Sequence, residues 1–564
     1  MEYELLLVLF VAFILFLTVA DRINEKKRWR WLEAQHRDNY GKASSKKHKA
    51  EEGKTIASYY VRHKDSNGID DITWNDLGMD EVFKKMDYTD SSVGEQFLYY
   101  MLRTPCYEEE TLKQREKRIC AMEKDEVRLP LQMQFLKVGR SGKYAIWDYL
   151  DLLDNLGERN GVLSVAVDLF ILGMIPMCFV NVGIGVTGMI AGVLFNFLRY
   201  FKQKGEIDPY IVSFSYLLRL IEGAEQVAGV LKKQEEEILR EDARLIMEQV
   251  KVFKKYRRNS HLILSPTRMS GSSDPVELAL DYIRMMFHLD ILKFNQMLRQ
   301  VRGHLPQIEV LMTVTGQLDA SISIQCYREY LRQKGQAYCI PVFTGNKKIH
   351  LQKGVHPLLE QPVANSVETE RNVLITGSNA SGKSTFLKTV AVAALMAQSV
   401  HMVLAEVYQA SFFRIYSSMA LHDDLLSGES YYMAEIKALK RILDGAQAEK
   451  TPVLCFVDEV LRGTNTVERI AASVEILHDL AGQNLLCFTA THDIELTKLL
   501  CGEYENYHFS EEFDGTQIHF TYVIQKGEAT SRNAIKLLDM MGFEKEITVR
   551  AEKRAEQFLQ TGKW

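Results

Sequence analysis

The sequence predicts an α/β domain that follows an all-α region, with transmembrane helices at the N-terminus and inside that region. Three observations predict this architecture. A glycine-rich turn at residues 377–384 follows a short apolar strand. Two later apolar strands, at 452–458 and 485–491, end next to polar residues. Two apolar blocks, at 5–20 and 161–198, are long enough to cross a bilayer.

The composition fits a mostly globular chain of several domains. A length of 564 residues leaves room for them. The formal net charge of −5 gives no general affinity for nucleic acid, although local basic runs can still bind it. The eight cysteines form no C-x-x-C pair. They are therefore expected to be small core residues of a protein in a reducing cytosol.

The first apolar block, 5–20, is uncharged and just long enough, with the residues before it, to span a membrane. No basic residue precedes it, whereas RINEKKRWRW follows Asp21. A cleaved signal peptide carries positive charge in front, so the sequence favours an uncleaved anchor at residues 1–22. The basic flank predicts that the rest of the chain is cytoplasmic. Residues 23–65 are expected to be a charged linker, because GKASSKKHKAEEGK has too little apolar surface to pack.

The second apolar block, 161–200, is predicted to be a transmembrane hairpin. It is too long for one helix across a core of about 30 Å, but it fits two, at about 162–180 and 183–198. VNVGIGVTG supplies the turn, and the basic stretch RYFKQK follows the second span. The alternative is a buried helical pair in a soluble core. With the anchor, the hairpin gives about three spans and a multi-pass protein of the cell membrane.

Residues 66–160 and 201–340 are predicted to form the two parts of a helical region around the hairpin. Between 210 and 331 prolines are few, and apolar residues recur at intervals of three and four with charges between them. The basic run KVFKKYRR in the second part could touch phosphates, but a solvated helix face is the simpler interpretation.

The stretch NVLITGSNASGKSTFLKT, at 372–389, has the pattern of a strand, a tight turn and a helix. It fits the spacing G-x-x-x-x-G-K-[ST], in which backbone N–H groups and the helix N-terminus surround phosphate oxygens. Lys383 would reach the β- and γ-phosphates of ATP, and the Ser384 hydroxyl would ligate Mg²⁺. The predicted nucleotide-binding residues are Gly377, Ser378, Asn379, Ala380, Ser381, Gly382, Lys383, Ser384 and Thr385.

Two further strand ends supply the predicted catalytic groups. PVLCFVDEV ends in Asp458, which can hold Mg²⁺ through water, and Glu459, which can orient or deprotonate the attacking water. LLCFTAT ends just before His492, which could contact the γ-phosphate or that water. Three strands that deliver polar residues to one edge are typical of an open α/β sheet with its ligand beyond the carboxyl ends.

Together these residues resemble the ATPase domain of the MutS family of DNA mismatch-repair proteins. Five stretches carry the resemblance in the family's order, namely ITGSNASGKSTFLKT, DDLLSGESYYMAEIKALKRIL, VDEVLRGTNTVE, FTATHDIELTKL and QKGEATSRNAIKLLDMMGF. Upstream, residues 87–119 resemble the start of the family's lever domain, and FHLDILKFNQML resembles part of its end. The resemblance covers about 70–564 apart from the hairpin. It implies a MutS-type, ABC-like P-loop ATPase domain at 341–564.

The resemblance also implies a homodimer with composite nucleotide sites. Ser430 would reach the nucleotide of the partner subunit, with an ordinary helix cap as the alternative. The stretch QPVAN is similar to one that carries an aromatic residue against adenine in relatives, but Val363 stands there. How adenine is held is therefore left open.

Two functions remain open. No stretch before the lever region resembles the family's mismatch-reading domain; the anchor and linker stand in its place. The first hypothesis is a membrane-anchored MutS-like ATPase that binds DNA in mismatch repair or damage sensing. The second is a membrane mechanoenzyme that applies the same ATPase to a protein or membrane partner without DNA. A transporter ATPase is less favoured, because three spans do not easily line a path.

Overall fold

The computed structural model of the protein describes most of the chain. The described residues are 2–48, 53–141, 161–254, 289–378, 381–419, 431–448, 450–462, 464–514, 517–528, 535, 538 and 542–561. The helices before the sheets are α1 (Glu2–Asn39), α2 (Gly53–His63), α3 (Asp71–Asp76), α4 (Met79–Met86), α5 (Ser92–Arg103), α6 (Glu109–Ala121), α7 (Asp125–Val138), α8 (Gly161–Val180), α9 (Val182–Leu231), α10 (Glu237–Val252), α11 (Leu289–Gly303) and α12 (Leu305–Gln333).

The part of the chain after residue 341 contains both strands and helices. They are β1 (Val342–Phe343), β2 (Ile349–Gly354), β3 (Asn365–Thr369), β4 (Asn372–Thr376), α13 (Lys383–Ser399), β5 (Val407–Ala410), β6 (Arg414–Ser418), α14 (Tyr431–Ala448), β7 (Val453–Asp458), α15 (Thr466–Ala481), β8 (Leu485–Thr491), α16 (Glu495–Leu499), β9 (Tyr504–Asp514), β10 (Gln517–Lys526) and α17 (Lys545–Thr561). This order confirms the α/β class of the C-terminal region, where a sheet is built from strands with helical crossovers.

The larger sheet has the strand order β10-β9-β4-β8-β7-β6, and a smaller sheet has the order β1-β5-β2-β3. In the larger sheet β9, β4, β8, β7 and β6 run parallel, while β10 pairs antiparallel at the edge. Every residue of β4, β7 and β8 is buried. Their mostly apolar sequences are typical of parallel strands that are covered on both faces of the sheet. Neighbouring parallel strands end at the same edge, so the residues after β4, β7 and β8 come together there.

The chain divides into two compact units. One consists of Met1–His63, Asp87–Tyr100 and Lys117–Tyr327, and the other of Lys64–Met86, Met101–Glu116 and Arg328–Trp564. The second unit therefore takes in two pieces of the stretch that the sequence assigned to the helical region. The Asp76 carboxylate at the end of α3 accepts hydrogen bonds from Ser417 Oγ (2.6 Å) and Met419 N (3.0 Å), beside β6. Asp70, before α3, pairs with Arg441 of α14.

The first unit departs from the expected anchor and linker boundaries. Helix α1 does not end at residue 22 but continues to Asn39, because the charged stretch after Asp21 is rich in good helix formers. A second helix, α2, occupies the end of the expected linker.

The segment between α1 and α2 is also not an unpacked linker over its described residues. Ser44 Oγ donates to the Asp87 carbonyl oxygen (2.7 Å). Lys46 Nζ lies 2.5 Å from a carboxylate oxygen of Asp87 and 3.0 Å from one of Glu95. The sequence correctly showed too little apolar surface; polar contacts fix the segment instead.

Helices α8 and α9 form a hairpin that turns at Asn181. The Asn181 side chain accepts a hydrogen bond from Ile184 N (3.2 Å) and so caps α9. A Cβ atom at Gly185, Gly188 or Gly192 would lie within 3 Å of α8, so these glycines allow close helix packing. Helix α9 has 50 residues, and no break separates the second apolar segment from the helical region that was expected to begin at residue 201.

Much of the hairpin's apolar surface is exposed. Within the described residues, Val182–Lys202 is long and apolar enough to cross a bilayer, with 17% of its apolar window buried, and Ala166–Val180 is a shorter apolar stretch. At the turn, Phe179 is 90% exposed and Val180 is 80% exposed. Most side chains of the first apolar block, 5–20, lie outside the described residues.

Candidate active site

The glycine-rich turn follows β4 directly, and α13 begins at Lys383. Gly377 has φ +150° and Gly382 has φ +106°, conformations that glycine adopts without steric cost. A Cβ at Gly377 would come 2.9 Å from Ser381 Oγ, and one at Gly382 would come 3.3 Å from the Tyr522 ring. The two glycines are therefore required by both backbone shape and close packing.

Lys383 extends into this turn. Its Nζ donates to the carbonyl oxygens of Gly377 (2.8 Å) and Ser378 (2.7 Å), and it lies 3.5 Å from His492 Nε2. Burial lowers the pKa of Lys383 to about 8, although the negative charges of Asp458 and Glu459 oppose the shift. The ammonium group is thus held where the turn would surround phosphates.

Two carboxylates stand at the end of β7. Asp458 is buried, and its neighbour Glu459 is half-buried. Glu459 Oε1 lies 2.7 Å from His492 Nε2, and Glu459 Oε2 lies 2.6 Å from Arg462 Nε. Burial would raise the pKa of Glu459, but the hydrogen bond with His492 and the charge of Arg462 outweigh it and lower the pKa. Glu459 is therefore held as an ionised acceptor.

The loop that carries Glu459 has an unusual backbone. Glu459 has φ +61° and Leu461 has φ +58°, both in the left-handed region that costs a non-glycine residue roughly 1–3 kcal/mol. Glu459 N donates to the Ala490 carbonyl oxygen of β8 (2.9 Å), which holds the loop against the sheet. Strain of this kind persists only where surrounding contacts enforce it.

His492 follows β8, the strand between β4 and β7. The turn after this strand is fixed by Asp493, whose N–H donates to Thr491 Oγ1 (3.0 Å). Both oxygens of the Asp493 carboxylate accept hydrogen bonds from Arg469 of α15, at 2.9 and 2.6 Å. The bidentate contact fixes the position of the turn, and with it the backbone of His492.

The strand-end carboxylates, His492 and most of the described glycine-rich turn line one cavity of about 560 Å³. The part of the cradle that lines it is Ser378, Ser381, Gly382, Lys383, Ser384 and Thr385, and it is joined by Asp458, Glu459, Arg462 and His492. The structure thus brings the described members of the sequence-derived set together, and their roles stay predictions. Asn379, Ala380 and Ser430 lie outside the described residues.

Tyr522 also lines the cavity, and the sequence did not predict it as a site residue. Tyr522 lies in β10, where the pairing with β9 shifts between Phe520 and Ile524, and it has φ +53°. Asn365 fixes this irregularity, because its side chain donates to the Tyr522 carbonyl oxygen (2.9 Å) and accepts from Ile524 N (2.8 Å). Val363 also lines the cavity, but it offers no ring. The bulge places Tyr522 at the cavity, and because a bulge has no clear sequence signal, this position could not be predicted.

Arg462 was also missed as a site residue, although it lies in the R-G-T stretch quoted for the resemblance. Besides Glu459, its guanidinium contacts the Asp458 carbonyl oxygen at 3.3 Å. The signal that could have found it is spacing, since a cation three residues after a strand-end carboxylate can fold back onto it.

Comparison with known proteins agrees with this geometry. The family MutS domain V matches residues 373–559, which include the cradle, both carboxylates and the histidine. A DNA mismatch repair protein MutS of Bacillus velezensis is 29% identical over 283 residues, or 48% of this chain and 32% of that protein. The MutS of Natronomonas pharaonis is 32% identical over 229 residues, or 38% of this chain and 26% of that protein. The chain thus spans a third or less of these relatives, and over that part it is homologous to MutS mismatch-repair proteins and carries a MutS domain V.

Proposed function

We propose that this protein is a membrane-anchored, MutS-like ATPase that hydrolyses ATP to ADP and phosphate. The observation that carries the proposal is the position of Glu459, at a strand end, in the same cavity as the Lys383 cradle. The match to MutS domain V, an ATPase domain, supports it. A carboxylate beside a phosphate cradle is the arrangement that water-activating NTPases need.

The residues suggest distinct roles in ATP hydrolysis. The turn and Lys383 bind the phosphates, and Glu459 accepts the proton of the water whose oxygen attacks the γ-phosphorus. The bond from that phosphorus to the ADP oxygen then breaks. His492, hydrogen-bonded to Glu459, fixes the carboxylate, and its Nε2 lies 3.5 Å from Lys383 Nζ. Because Arg462 also binds Glu459, it must share or release the carboxylate before water can use it.

The donor set fits Mg²⁺. The Ser384 hydroxyl and the buried Asp458 carboxylate both line the cavity, and hard oxygen donors are the ligands that Mg²⁺ prefers. When bound, the ion would neutralise charge on the β- and γ-phosphates.

The direct test is nucleotide binding by the purified protein. Lys383→Ala should weaken ATP binding at least about tenfold, because a buried cation that contacts phosphate is lost. Lys388→Ala, on the same helix, is the matched control and should bind like the wild type. Equal affinity in the wild type and Lys383→Ala would refute the phosphate assignment.

Membrane anchoring is supported by the exposed apolar surface of the hairpin. The α8–α9 pair packs through glycines and leaves its large apolar side chains outside, the reverse of a soluble core.

We place the C-terminus in the cytoplasm and the N-terminus outside, with about three spans. A reporter fused after Trp564 should be cytoplasmic, and a tag before Met1 should be accessible from outside. Release of intact protein by salt or carbonate alone would contradict both spanning proposals.

For the cellular role, we favour DNA binding of the mismatch-repair type, because both relatives are named as DNA mismatch repair proteins. The membrane mechanoenzyme remains the second candidate; the exposed hairpin surface fits both candidates, which differ in whether DNA is bound. Retention on matched and mismatched duplex DNA separates the two. A DNA binder should weaken steeply as salt rises, since phosphate contacts release counterions. No retention at low salt would favour the membrane partner.

We also propose a homodimer in which Ser430 of one subunit completes the site of the other. Lys383→Ala and Ser430→Ala subunits should each be inactive as homodimers. A mixed dimer collects both lesions in one composite site and leaves the other site intact, so part of the ATPase activity should return. A verified heterodimer without recovered activity would contradict the proposal and favour a helix cap.

A further inference from the structure

The strained loop after β7 receives support from α14 as well as from the sheet. Glu435 lies on α14, and its side chain is 2% exposed. Its Oε1 accepts hydrogen bonds from the backbone N–H groups of Leu461 (2.5 Å) and Arg462 (3.4 Å). These amides flank the second left-handed residue and lie two and three residues after Glu459.

The other contacts that reach the loop from outside it are longer or lie at its start. Ser473 Oγ of α15 donates to the Val460 carbonyl oxygen at 3.4 Å. The Glu459 amide is tied to β8, as described above, before the chain turns. The Glu435 carboxylate is therefore the main polar support of the loop's second half within the described part of the chain.

Burying a carboxylate costs free energy unless hydrogen bonds compensate for the lost contact with water. Burial raises the pKa of Glu435, and the two backbone amides and Arg462 oppose the shift. Its second oxygen, Oε2, is buried and makes no hydrogen bond to any described residue. Holding the loop is therefore what this side chain does in the structure.

Glu435 lies near the start of α14, the helix that begins at Tyr431. Because its carboxylate accepts hydrogen bonds from two amides of the loop, a shift of α14 would carry the loop with it.

We infer that Glu435 is a positioning residue that holds the left-handed loop bearing Glu459 and Arg462, and so couples the position of α14 to the candidate general base. The inference rests on the proposed ATPase function and adds a positioning residue to the same site. What matters is the acceptor oxygen rather than the charge, because the partners are neutral backbone amides.

Two substitutions test this role. Glu435→Ala removes the acceptor, and kcat should fall about 100-fold, the cost of a small misplacement of a reacting group. The affinity for a non-hydrolysable ATP analogue should stay within about threefold, because the cradle is untouched. Glu435→Gln keeps an acceptor oxygen of the same reach and should retain kcat within about threefold. Asp444→Ala, which removes an exposed carboxylate from the same helix, is the matched control.

Amide hydrogen exchange gives a readout that does not need activity. In Glu435→Ala the Leu461 and Arg462 amides should exchange at least about tenfold faster, and in Glu435→Gln they should stay protected. Unchanged exchange in Glu435→Ala would overturn the inference, as would equal loss of kcat in the Gln variant or equal loss of analogue affinity. If the wild type shows no ATP turnover, the proposed function fails, while the exchange experiment still decides whether Glu435 holds the loop.

Discussion

The larger sheet and the α8–α9 hairpin are both apolar in sequence, yet they distribute apolar side chains in opposite ways. In β7 and β8 every residue is buried, and charged groups appear only where the strands end. In the hairpin, large apolar residues such as Phe179 and Leu194 are exposed, and a polar pair lies inside. Asn196 Nδ2 donates to Asp168 Oδ1 at 3.3 Å, and both side chains are buried.

The contrast shows that hydropathy identifies segments that avoid water. It does not show what surrounds those segments in place of water. In the sheet, other apolar side chains replace the water, and the candidate catalytic groups collect at the edge. In the hairpin, two helices bury their glycines and their polar pair against each other, so the apolar exterior needs another solvent. The proposed membrane insertion would supply lipid as that solvent.

The largest expected effect concerns the polar edge of the sheet. Glu459→Gln should lower ATP turnover by roughly 10²–10⁴-fold while ATP still binds, because the amide keeps the shape but cannot accept the proton of water. Single-turnover kinetics with bound-nucleotide analysis measure both quantities. Unchanged turnover would show that Glu459 is not the general base and that the end of β7 has no catalytic function.

The next substitution pair tests the apolar side chains directly. Leu486→Ala in β8 should destabilise the protein by about 2–5 kcal/mol, because it opens a cavity in a fully buried strand. Leu194→Ala in α9 should change stability far less, since that side chain is 60% exposed and leaves no cavity. Thermal unfolding in detergent compares the two. Equal losses would mean that the hairpin exterior is packed like the sheet, and the contrast would fail.

A smaller effect is expected at Tyr522, a partly exposed ring that lies at the polar edge. An aromatic ring contributes about 0.5–1.5 kcal/mol when it stacks on another ring system. Tyr522→Ala should therefore weaken ATP affinity up to about tenfold, and Tyr522→Phe should bind like the wild type. If the Ala variant binds ATP normally, or loses inorganic triphosphate binding equally, the ring does not hold the base.

The smallest expected effect is a pH dependence of nucleotide binding. Burial lowers the pKa of Lys383 to about 8 in the free protein, so its charge is lost as pH rises through 8. Bound phosphates favour the charged form, and binding must then take up a proton. ATP affinity should fall about fourfold between pH 7 and pH 8.5. Titration calorimetry in buffers of different ionisation enthalpy should reveal the proton uptake; its absence at pH 8.5 would assign the charge elsewhere.

Much of the site could be predicted because its signals are short in sequence. The glycine turn at 377–384 lies between its own strand and helix, and Asp458 and His492 each follow an apolar strand directly. The sequence could not show where α1 ends or that α9 continues past residue 200, since helix-forming residues run across both expected boundaries.

The sequence by itself determined the apolar strands, the phosphate turn and the apolar hairpin, because periodicity and turn chemistry act between neighbours in the chain. Only the tertiary structure decided that Glu435 meets Leu461, that Asn365 sets the bulge at Tyr522, and that Lys46 reaches Asp87. Each of these contacts joins residues 26 to 157 positions apart. Such contacts depend on the path of the whole chain, and a single polar side chain carries no signal of its distant partner.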